Sequence, residues 1–238
     1  MTTSKNVVPP TKTSVSAVLL AAGESTRMGT LKATLDWQGK PLIIYQLEQL
    51  LATDVNQITV VLGFKADELT TLIKDWSAKR STLVDPVILR QAQDERGVGY
   101  NIKRGIRIVV NKRYAQGRTT SIVTGVSAVP KTDAVMVFSV DQPRPAAVLQ
   151  RLIEAHTKGR ITTPAFGDKH GHPPIYDASF HDELLRITEA TVGLKSVNKR
   201  HEKDIRYIPF DSDAVLVNLN RPEDYEKAHA KYGKKPGV

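Results

Sequence analysis

The feature that most constrains the fold is an apolar run that ends in a loop of small residues. The segment 18–32 reads VLLAAGESTRMGTLK, so a short apolar strand stops at two alanines and a glycine. Small residues let backbone N–H groups approach a ligand closely, while Arg27 and Lys32 supply positive charge for phosphate oxygens. The alternative is a tight strand-to-loop turn with incidental charges. The pattern favours a nucleoside triphosphate site directly after the first strand.

The spacing of this loop excludes two common phosphate-binding motifs. A Walker loop needs four residues between its glycines, followed by Lys and then Ser or Thr. Here five residues separate Gly23 from Gly29, and Thr30 stands where that Lys should be. The dinucleotide fingerprint G-x-G-x-x-G also fails, because the loop has no third glycine at that spacing.

Strands and helices alternate along the chain. Short apolar runs predict strands at 16–20, 58–62, 106–110, 134–140, near 161, and at 174–176, 205–208 and 215–217. Apolar spacing and proline positions predict helices starting at 41 and spanning 66–76, 118–129, 145–157, 180–187 and 222–232. Such alternation predicts an α/β chain with a mainly parallel central sheet and helices on both faces.

One domain is expected, because no repeat and no clear linker interrupt this pattern. We expect the domain to span 15–232, with flexible tails at 1–14 and 233–238; the N-terminal stretch lacks the apolar core of a signal peptide. The segment 83–105 is polar and rich in turn signals. It predicts a short strand at 87–90 and a mobile loop beyond.

Composition limits the classes of partner. The chain has no cysteine, which excludes disulfides and thiolate metal sites and fits a cytoplasmic protein. No apolar run approaches the ~20 residues that cross a bilayer, so no membrane contact is expected. The net charge of +9 is spread along the chain with few aromatic residues. We therefore expect polyanionic small molecules such as triphosphates as partners, and not nucleic acid.

The glycine loop resembles a known family signature. The run L-A-A-G-x-S-x-R-M-G-x-x-K, residues 20–32, is similar to that of the nucleotidyltransferases related to the molybdopterin guanylyl- and cytidylyltransferases. Guanylyltransferases usually have L-A-G-G, so the L-A-A-G form is similar to the molybdenum cofactor cytidylyltransferase branch. The resemblance implies a three-layer, Rossmann-like fold and favours CTP over GTP. It implies nucleotide binding by Leu20, Ala21, Ala22, Gly23, Ser25, Arg27, Gly29 and Lys32.

Asp141 is the candidate metal ligand. It directly follows the apolar strand 134–140, and ligands of open α/β sheets bind outside the carboxyl ends of the strands. Mg²⁺ (or Mn²⁺) needs only one or two carboxylates besides triphosphate oxygens. The triplet Asp141-Gln142-Pro143 resembles the family's metal-binding motif. The alternative is an Asp that forms a turn and caps the next helix.

Two asparagines near the C-terminus form a second candidate metal position. In the run LVNLNRPED, residues 216–224, Asn218 and Asn220 share a face of the predicted strand. The run resembles the family ending in which a D/N-I/L-D/N pair precedes T-P-E-D. This chain departs from it in two ways: asparagines stand where the cytidylyltransferase branch has two aspartates, and Arg221 stands where the family has Thr. Either amide oxygen can ligate a metal without adding charge, and Asn220 is equally suited to capping the last helix.

Two further segments carry candidate binding residues. The segment from Gly117 to Ser121 begins a predicted helix, and the N–H groups and hydroxyls there suit an anion or a ribose. The alternative is an ordinary capped helix. It is similar to the family's G-x-S/T-S/T-S segment, which implies nucleotide contacts for Thr120 and Ser121. The G-H-P at 171–173 matches the cytidylyltransferase branch and implies that His172 contacts the acceptor. The paired histidines at 170 and 172 lack the third ligand of a zinc site.

The resemblance implies a metal-dependent nucleotidyl transfer that releases pyrophosphate. Arg27 and Lys32 would neutralise phosphate charge and Asp141 would hold the metal, so these three are the candidate catalytic residues. The implied acceptor is molybdopterin or the molybdenum cofactor, with a molybdoenzyme or maturation factor as a further partner. The branch commonly carries a G-D-x-G-x-R-like segment, and 189–196, EATVGLKS, departs from it. A sugar- or polyol-phosphate acceptor is therefore one alternative, and a non-catalytic nucleotide-binding or cofactor-delivery protein is another.

Overall fold

The computed structural model describes residues 13–79, 85–90 and 105–234, with 85–90 as backbone. The first twelve residues, the segment 91–104 with its predicted loop, and the last four residues lie outside this range. The strands are β1 (Val15–Ala21), β2 (Asp36–Trp37), β3 (Lys40–Pro41), β4 (Ile58–Leu62), β5 (Asp85–Arg90), β6 (Gly105–Val110), β7 (Ala134–Ser139), β8 (Ile161–Phe166), β9 (Lys169–His170), β10 (Ile175–Asp177) and β11 (Ile205–Pro209). The α-helices are α1 (Leu42–Leu51), α2 (Ala66–Ala78), α3 (Arg118–Ser127), α4 (Ala146–Ala155), α5 (His181–Leu185), α6 (Leu194–Arg200) and α7 (Pro222–Ala228).

Across the described ranges, nine strands form one mixed sheet. Its order is β11-β8-β10-β7-β1-β4-β6-β5, with β9 paired to β8. The strands from β7 to β5 run parallel, whereas β10 is antiparallel to both of its neighbours. The predicted mainly parallel sheet is confirmed, and β10 separates its parallel half from the β8–β11 pair.

The core has two layers because β1 is apolar on both faces. Ala17 and Leu19 pack with α1, α2, α4 and α7 on one side of the sheet, whereas Val18 and Leu20 pack with α3, α5 and α6 on the other. A strand buried on both faces reads as a continuous apolar run. The three-layer arrangement predicted from the resemblance is confirmed.

The carboxyl ends of β1 and β7 meet at one edge of the sheet, since the two strands are paired in parallel from Val15 and Ala134 onward. The backbone after β4 also approaches closely, because Phe64 N donates to Ala22 O at 3.0 Å. A Cβ at Gly63 would lie 2.8 Å from the same Ala22 oxygen, so only glycine fits there. The chain that follows β4 therefore packs directly against the end of β1.

One predicted strand is wrong. The segment predicted as a strand at 215–217 overlaps a short 3₁₀ helix, Asp213–Leu216, and the chain continues irregularly to 221. Ser212 caps this turn, since its Oγ accepts from the Ala214 N–H at 3.2 Å. Such local side-chain bonds compete with strand formation. Asn218 and Asn220 therefore do not share a strand face.

The other elements follow the predicted order with shifted ends. The helix expected to begin at Pro41 starts at Leu42, the predicted strand at 87–90 lies within β5, and the last helix extends beyond Ala228 as a π-helical turn. Helix α6 was not predicted. In the described part of the chain, no helix is both long and apolar enough to span a membrane.

Candidate active site

A cleft of about 470 Å³ opens at the carboxyl ends of β1 and β7. Its floor is made by the ends of these two strands, and one wall is the loop after β1. The opposite wall is the segment before and at the start of α3. The lining residues are Leu20, Ala21, Ala22, Gly23, Glu24, Ser25, Thr26, Leu31, Lys32, Ala33, Tyr114, Ala115, Gly117, Arg118, Ser121, Ser139, Val140, Asp141 and Asn220.

The loop after β1 is held in a fixed turn. Ser25 takes a left-handed conformation at φ 58°, and its Oγ accepts from the Lys32 N–H at 3.1 Å. Gly29 closes the short 3₁₀ turn at φ 66°, where residues with a Cβ are strained. Met28 is buried beneath the turn. The loop therefore presents the small residues around Gly23 to the cleft and returns the chain to Lys32.

Lys32, Asp141 and Asn220 meet at one end of the cleft. The Lys32 ammonium donates to Asp141 Oδ2 at 2.8 Å and to Asn220 Oδ1 at 3.3 Å. The side chains of Lys32 and Asp141 are only 14% and 17% exposed. A carboxylate oxygen and an amide oxygen thus already contact the positive charge of Lys32. Oxygen atoms of these two kinds are also the ligands that a hard divalent cation prefers.

The backbone beside this cluster is fixed by hydrogen bonds. Leu219 N donates to Asp141 O at 2.8 Å, which joins the 218–220 segment to the end of β7. The buried Gln46 of α1 donates through Nε2 to Gln142 O at 2.8 Å. The segments that carry Asp141 and Asn220 are therefore held together by a main-chain hydrogen bond that does not depend on a ligand.

Arg144 is a fully buried guanidinium that ties three segments together. Its Nε donates to His172 O at 2.7 Å, its Nη1 to Pro143 O at 2.8 Å, and its Nη2 to the carbonyls of Val215 and Val217 at 2.6 and 3.0 Å. All these partners are neutral carbonyls. The segments that carry Asp141, His172 and Asn218 are thus bound to one side chain.

The positive charge of Arg144 is balanced by a nearby carboxylate to which it is not hydrogen-bonded. Burial lowers the pKa of the Arg144 guanidinium to about 9, and the nearby Asp141 carboxylate opposes this shift. Arg144 therefore remains protonated at neutral pH. Together with Lys32, it offsets the single negative charge of Asp141, so this end of the cleft carries a positive balance.

The N-terminus of α3 is occupied by a carboxylate from the same chain. Glu189 Oε1 accepts from Thr119 N at 2.7 Å and from Thr119 Oγ1 at 2.9 Å. Negative charge at this end of a helix complements its dipole. The hydroxyls of Thr120 and Ser121 each accept from Asn111 Nδ2 at 2.9 Å. Ser121 lines the cleft, whereas Thr120 is not one of its lining residues.

A second pocket of about 400 Å³ adjoins the cleft. Arg118 lines both cavities, and the consecutive residues Asp141 and Gln142 line one each. The second pocket is lined by Arg118, Thr119, Ile122, Val137, Gln142, His172, Pro174, Tyr176, Glu189, Val192, Gly193, Leu194, Lys195, Asn198 and Asn218. The cleft and the second pocket therefore adjoin each other at Arg118 and at the Asp141–Gln142 step.

His172 is uncharged in this pocket. Burial chiefly lowers the pKa of its imidazole to about 4, and the positive charges of Arg144 and Arg118 add to the effect against the opposing charge of Asp141. At neutral pH the ring therefore offers one N–H donor and one nitrogen acceptor. Across the described ranges, no side-chain hydrogen bond engages this ring, which lines the second pocket.

The predicted site residues divide into three groups. The cleft brings together Leu20, Ala21, Ala22, Gly23, Ser25, Lys32, Ser121, Asp141 and Asn220, while the second pocket receives His172 and Asn218. Arg27, Gly29 and Thr120 are not among the described residues that line either cavity. Arg27 is exposed. The two asparagines are therefore separated, and only Asn220 contacts the Lys32–Asp141 pair.

Four residues at or near the two cavities were not predicted from the sequence. Arg118 and Gln142 lie within motifs in which only neighbouring residues were candidates, and Arg144 follows the Asp-Gln-Pro triplet. Arg118 had a usable signal, because an arginine at a helix N-terminus is unfavourable for the dipole unless it serves another purpose. Glu189 had none, since its contact with Thr119 joins residues 70 positions apart.

The comparisons with known proteins identify the class. Residues 17–205 match the family described as the MobA-like NTP transferase domain, so the chain belongs to this family. Family membership makes the chain a nucleotidyltransferase, which transfers a nucleoside monophosphate from a nucleoside triphosphate.

Individual relatives are more distant. The chain is 26% identical to nicotine blue oxidoreductase of Paenarthrobacter nicotinovorans over 76% of this chain and 79% of that protein. It is 21% identical to the molybdenum cofactor cytidylyltransferase of Escherichia coli K12 over 92% and 97% of the two chains. A nucleotidyl transferase structure from Methanothermobacter superposes with a TM-score of 0.69 at 20% identity, covering 92% and 97%. This likeness confirms the predicted Rossmann-like nucleotidyltransferase fold.

Proposed function

We propose that the protein is a divalent-metal-dependent cytidylyltransferase that moves CMP from CTP to a phosphate-bearing acceptor, with molybdopterin or the molybdenum cofactor favoured. The observation that carries the proposal is the Lys32–Asp141–Asn220 cluster in the cleft, which has a second pocket adjoining it. One cavity suits the triphosphate and the other the acceptor. The L-A-A-G sequence and the similarity to a cytidylyltransferase favour CTP over GTP.

Each residue of the cleft has a proposed role. The N–H groups around Gly23 contact the phosphates, and Lys32 neutralises charge on the α-phosphate. Arg27 reaches the β-phosphate from its exposed position on the loop. Asp141 and Asn220 would hold Mg²⁺ or Mn²⁺ together with triphosphate oxygens, and such a cation would supply positive charge beside the phosphates. Asn218 faces the second pocket, so we assign the metal position to Asn220.

The reaction is a substitution at the α-phosphorus. An oxygen of the acceptor's ionised phosphate forms a bond to this phosphorus, and the bond to the bridging α–β oxygen breaks, so that pyrophosphate carries the electron pair away. Because the acceptor is already ionised, no strong general base is needed. Catalysis then depends on positioning and on neutralisation of charge.

Pyrophosphate release tests this function. The purified protein would be assayed with CTP or GTP, Mg²⁺, and molybdopterin, a sugar 1-phosphate or a polyol phosphate as acceptor. We expect turnover with CTP and molybdopterin, and a loss of about 10²–10³ in rate for Asp141→Ala. Asp182→Ala is the matched control, because this carboxylate is 81% exposed and lines neither cavity.

Three outcomes would contradict the proposal in different ways. Turnover with a sugar or polyol phosphate alone would assign the other acceptor class. Tight CTP binding without turnover on any acceptor would indicate a binding or delivery protein. An Asp141→Ala variant with full activity would refute the metal position.

A further inference from the structure

Asn111 is a buried amide side chain that has no role in the site as described so far. It directly follows β6, is only 3% exposed, and donates its own N–H to Leu62 O at 2.7 Å. Its side-chain Oδ1 accepts from the Arg113 N–H at 2.9 Å. Because a backbone N–H can only donate, this contact fixes which end of the amide is the oxygen, and Nδ2 is the end that contacts α3.

The Asn111 amide sets the direction of the hydrogen bonds of two hydroxyls on α3. Its Nδ2 donates to Thr120 Oγ1 and to Ser121 Oγ, both at 2.9 Å. Since each hydroxyl accepts from the amide, each must direct its own hydrogen elsewhere. Thr120 directs its hydrogen to the backbone, with Gly117 O at 2.8 Å and Arg113 O at 3.0 Å. In the described part of the chain, the hydrogen of Ser121 has no such acceptor.

Ser121 is therefore a hydrogen-bond donor at the wall of the cleft. Together with Tyr114 and Ala115 it lines the wall opposite the loop after β1. The residue is only 5% exposed, and a hydroxyl hydrogen without an acceptor is unfavourable in such a place. An acceptor atom of a molecule bound in the cleft would remove this cost.

The surroundings of Ser121 favour the uncharged part of a nucleoside triphosphate. The Glu189 carboxylate already accepts from Thr119 N and Thr119 Oγ1 at the start of α3, and its negative charge would repel a phosphate placed beside it. The phosphates are instead proposed to lie near Lys32. The nucleoside, whose oxygens are neutral acceptors, then lies towards the wall that contains Ser121.

We propose that Asn111 is a positioning residue for the nucleoside triphosphate, because its amide makes Ser121 a hydrogen-bond donor to an acceptor oxygen of the nucleoside. The inference rests on the proposed binding of the triphosphate in the cleft and adds a residue that acts through another. The acceptor oxygen belongs either to the ribose or to the nucleobase, since both present neutral oxygens.

Reversing the polarity of Asn111 tests this role. Asn111→Asp keeps the shape and the bond from Arg113 N–H, but its second oxygen accepts from Ser121 and turns that hydrogen away from the cleft. Calorimetric titration with CTP and Mg²⁺, without any acceptor molecule, should show affinity about tenfold lower for Asn111→Asp and about threefold to tenfold lower for Ser121→Ala. Adding Asn111→Asp to Ser121→Ala should lower the affinity by no more than about twofold, because the hydroxyl is already absent.

Two further variants separate positioning from charge and packing. Gln116→Glu is the matched control, because it adds the same charge to the same segment at an exposed residue that lines neither cavity; it should leave CTP affinity within about twofold. Asn111→Ala removes more packing than Asn111→Asp but leaves the Ser121 hydroxyl free to turn. It should therefore destabilise the protein more in urea titrations and weaken CTP binding less.

The nucleotide probes locate the acceptor oxygen. The same titrations with 2′-deoxy-CTP and 3′-deoxy-CTP would show the effect of Asn111→Asp disappear for one of them if the acceptor is a ribose oxygen. An effect that persists with both would assign the acceptor to the nucleobase.

The outcomes bear on the two proposals separately. Equal weakening by Asn111→Asp with and without the Ser121 hydroxyl, or unchanged CTP affinity in Ser121→Ala, would overturn the positioning role. Dependence of the Asn111→Asp effect on Ser121 with GTP but not with CTP would support the role and refute the preference for CTP. The same dependence with CTP, but without pyrophosphate release on any acceptor, would support the role and refute the proposed function.

Discussion

Removing the Lys32 ammonium should strengthen metal binding at the proposed site while lowering turnover. In the free protein this ammonium lies between Asp141 Oδ2 and Asn220 Oδ1, which are the two oxygens proposed to hold the metal. A divalent cation must displace it or bind beside it. Lys32→Ala removes both the competitor and its charge.

The magnitude follows from Coulomb's law. A single and a double positive charge at about 4 Å repel by about 2 kcal/mol even at the dielectric constant of water. The Lys32 side chain is 14% exposed, so the water value is a lower bound for this site. About 2 kcal/mol corresponds to an affinity about 30-fold higher. Turnover should fall by about 10²–10³, because a group that stabilises phosphate charge is lost.

Electron paramagnetic resonance of free Mn²⁺ measures this affinity without any nucleotide. Lys74→Ala is the control, since Lys74 is an exposed lysine on α2 far from the cleft. The double variant Lys32→Ala/Asp141→Asn should lose the gain. The reasoning would be refuted if Lys32→Ala bound Mn²⁺ no more tightly than wild type, or if the gain persisted in the double variant.

Three further predictions concern the second pocket and the core. Arg118→Met should raise the acceptor KM about tenfold or more in steady-state assays, whereas Arg186→Met, an exposed arginine outside both cavities, should leave it unchanged. Gly125→Ala should lower the free energy of unfolding by about 1–3 kcal/mol in urea titrations, because its Cβ would collide with Val18 beneath α3; an unchanged midpoint would contradict this packing. The low pKa of His172, about 4 against 6.5, means that the unfolded chain binds the proton first, so stability falls as pH drops from about 6.5 to 4. His172→Gln should remove up to about 3 kcal/mol of that dependence, and a parallel pH profile in both proteins would count against it.

The sequence predicted the elements whose signals are local. The strand ending at Ala21 and the strand before Asp141 are continuous apolar runs, and both are present at the expected places. The first part of the glycine loop, residues 22–26, and Lys32 line the cleft, because a strand-to-loop turn at the carboxyl end of a parallel strand leads to that edge of the sheet; Arg27 and Gly29 of the same loop do not.

Features that depend on distant neighbours could not be predicted. Apolar residues at 215–217 resemble a strand, but Ser212 and the Arg144 guanidinium supply hydrogen bonds that stabilise another conformation. For the same reason the sequence left Asn218 and Asn220 equivalent. The fold distinguishes the two asparagines, because Leu219, which lies between them in the sequence, donates its N–H to the carbonyl of Asp141.

The buried Arg144 has a consequence for how such a protein can be redesigned. Its guanidinium donates hydrogen bonds to the segment that follows Asp141, to the segment that carries His172, and to the stretch that leads to Asn218. A loop transplanted to alter acceptor choice would have to present carbonyl oxygens at the same points. Otherwise it would leave a buried positive charge without acceptors and displace Asp141 as well. The proposed acceptor pocket and the proposed metal position thus depend on the same buried side chain, and a redesign of either one would have to preserve all of the hydrogen bonds of this arginine.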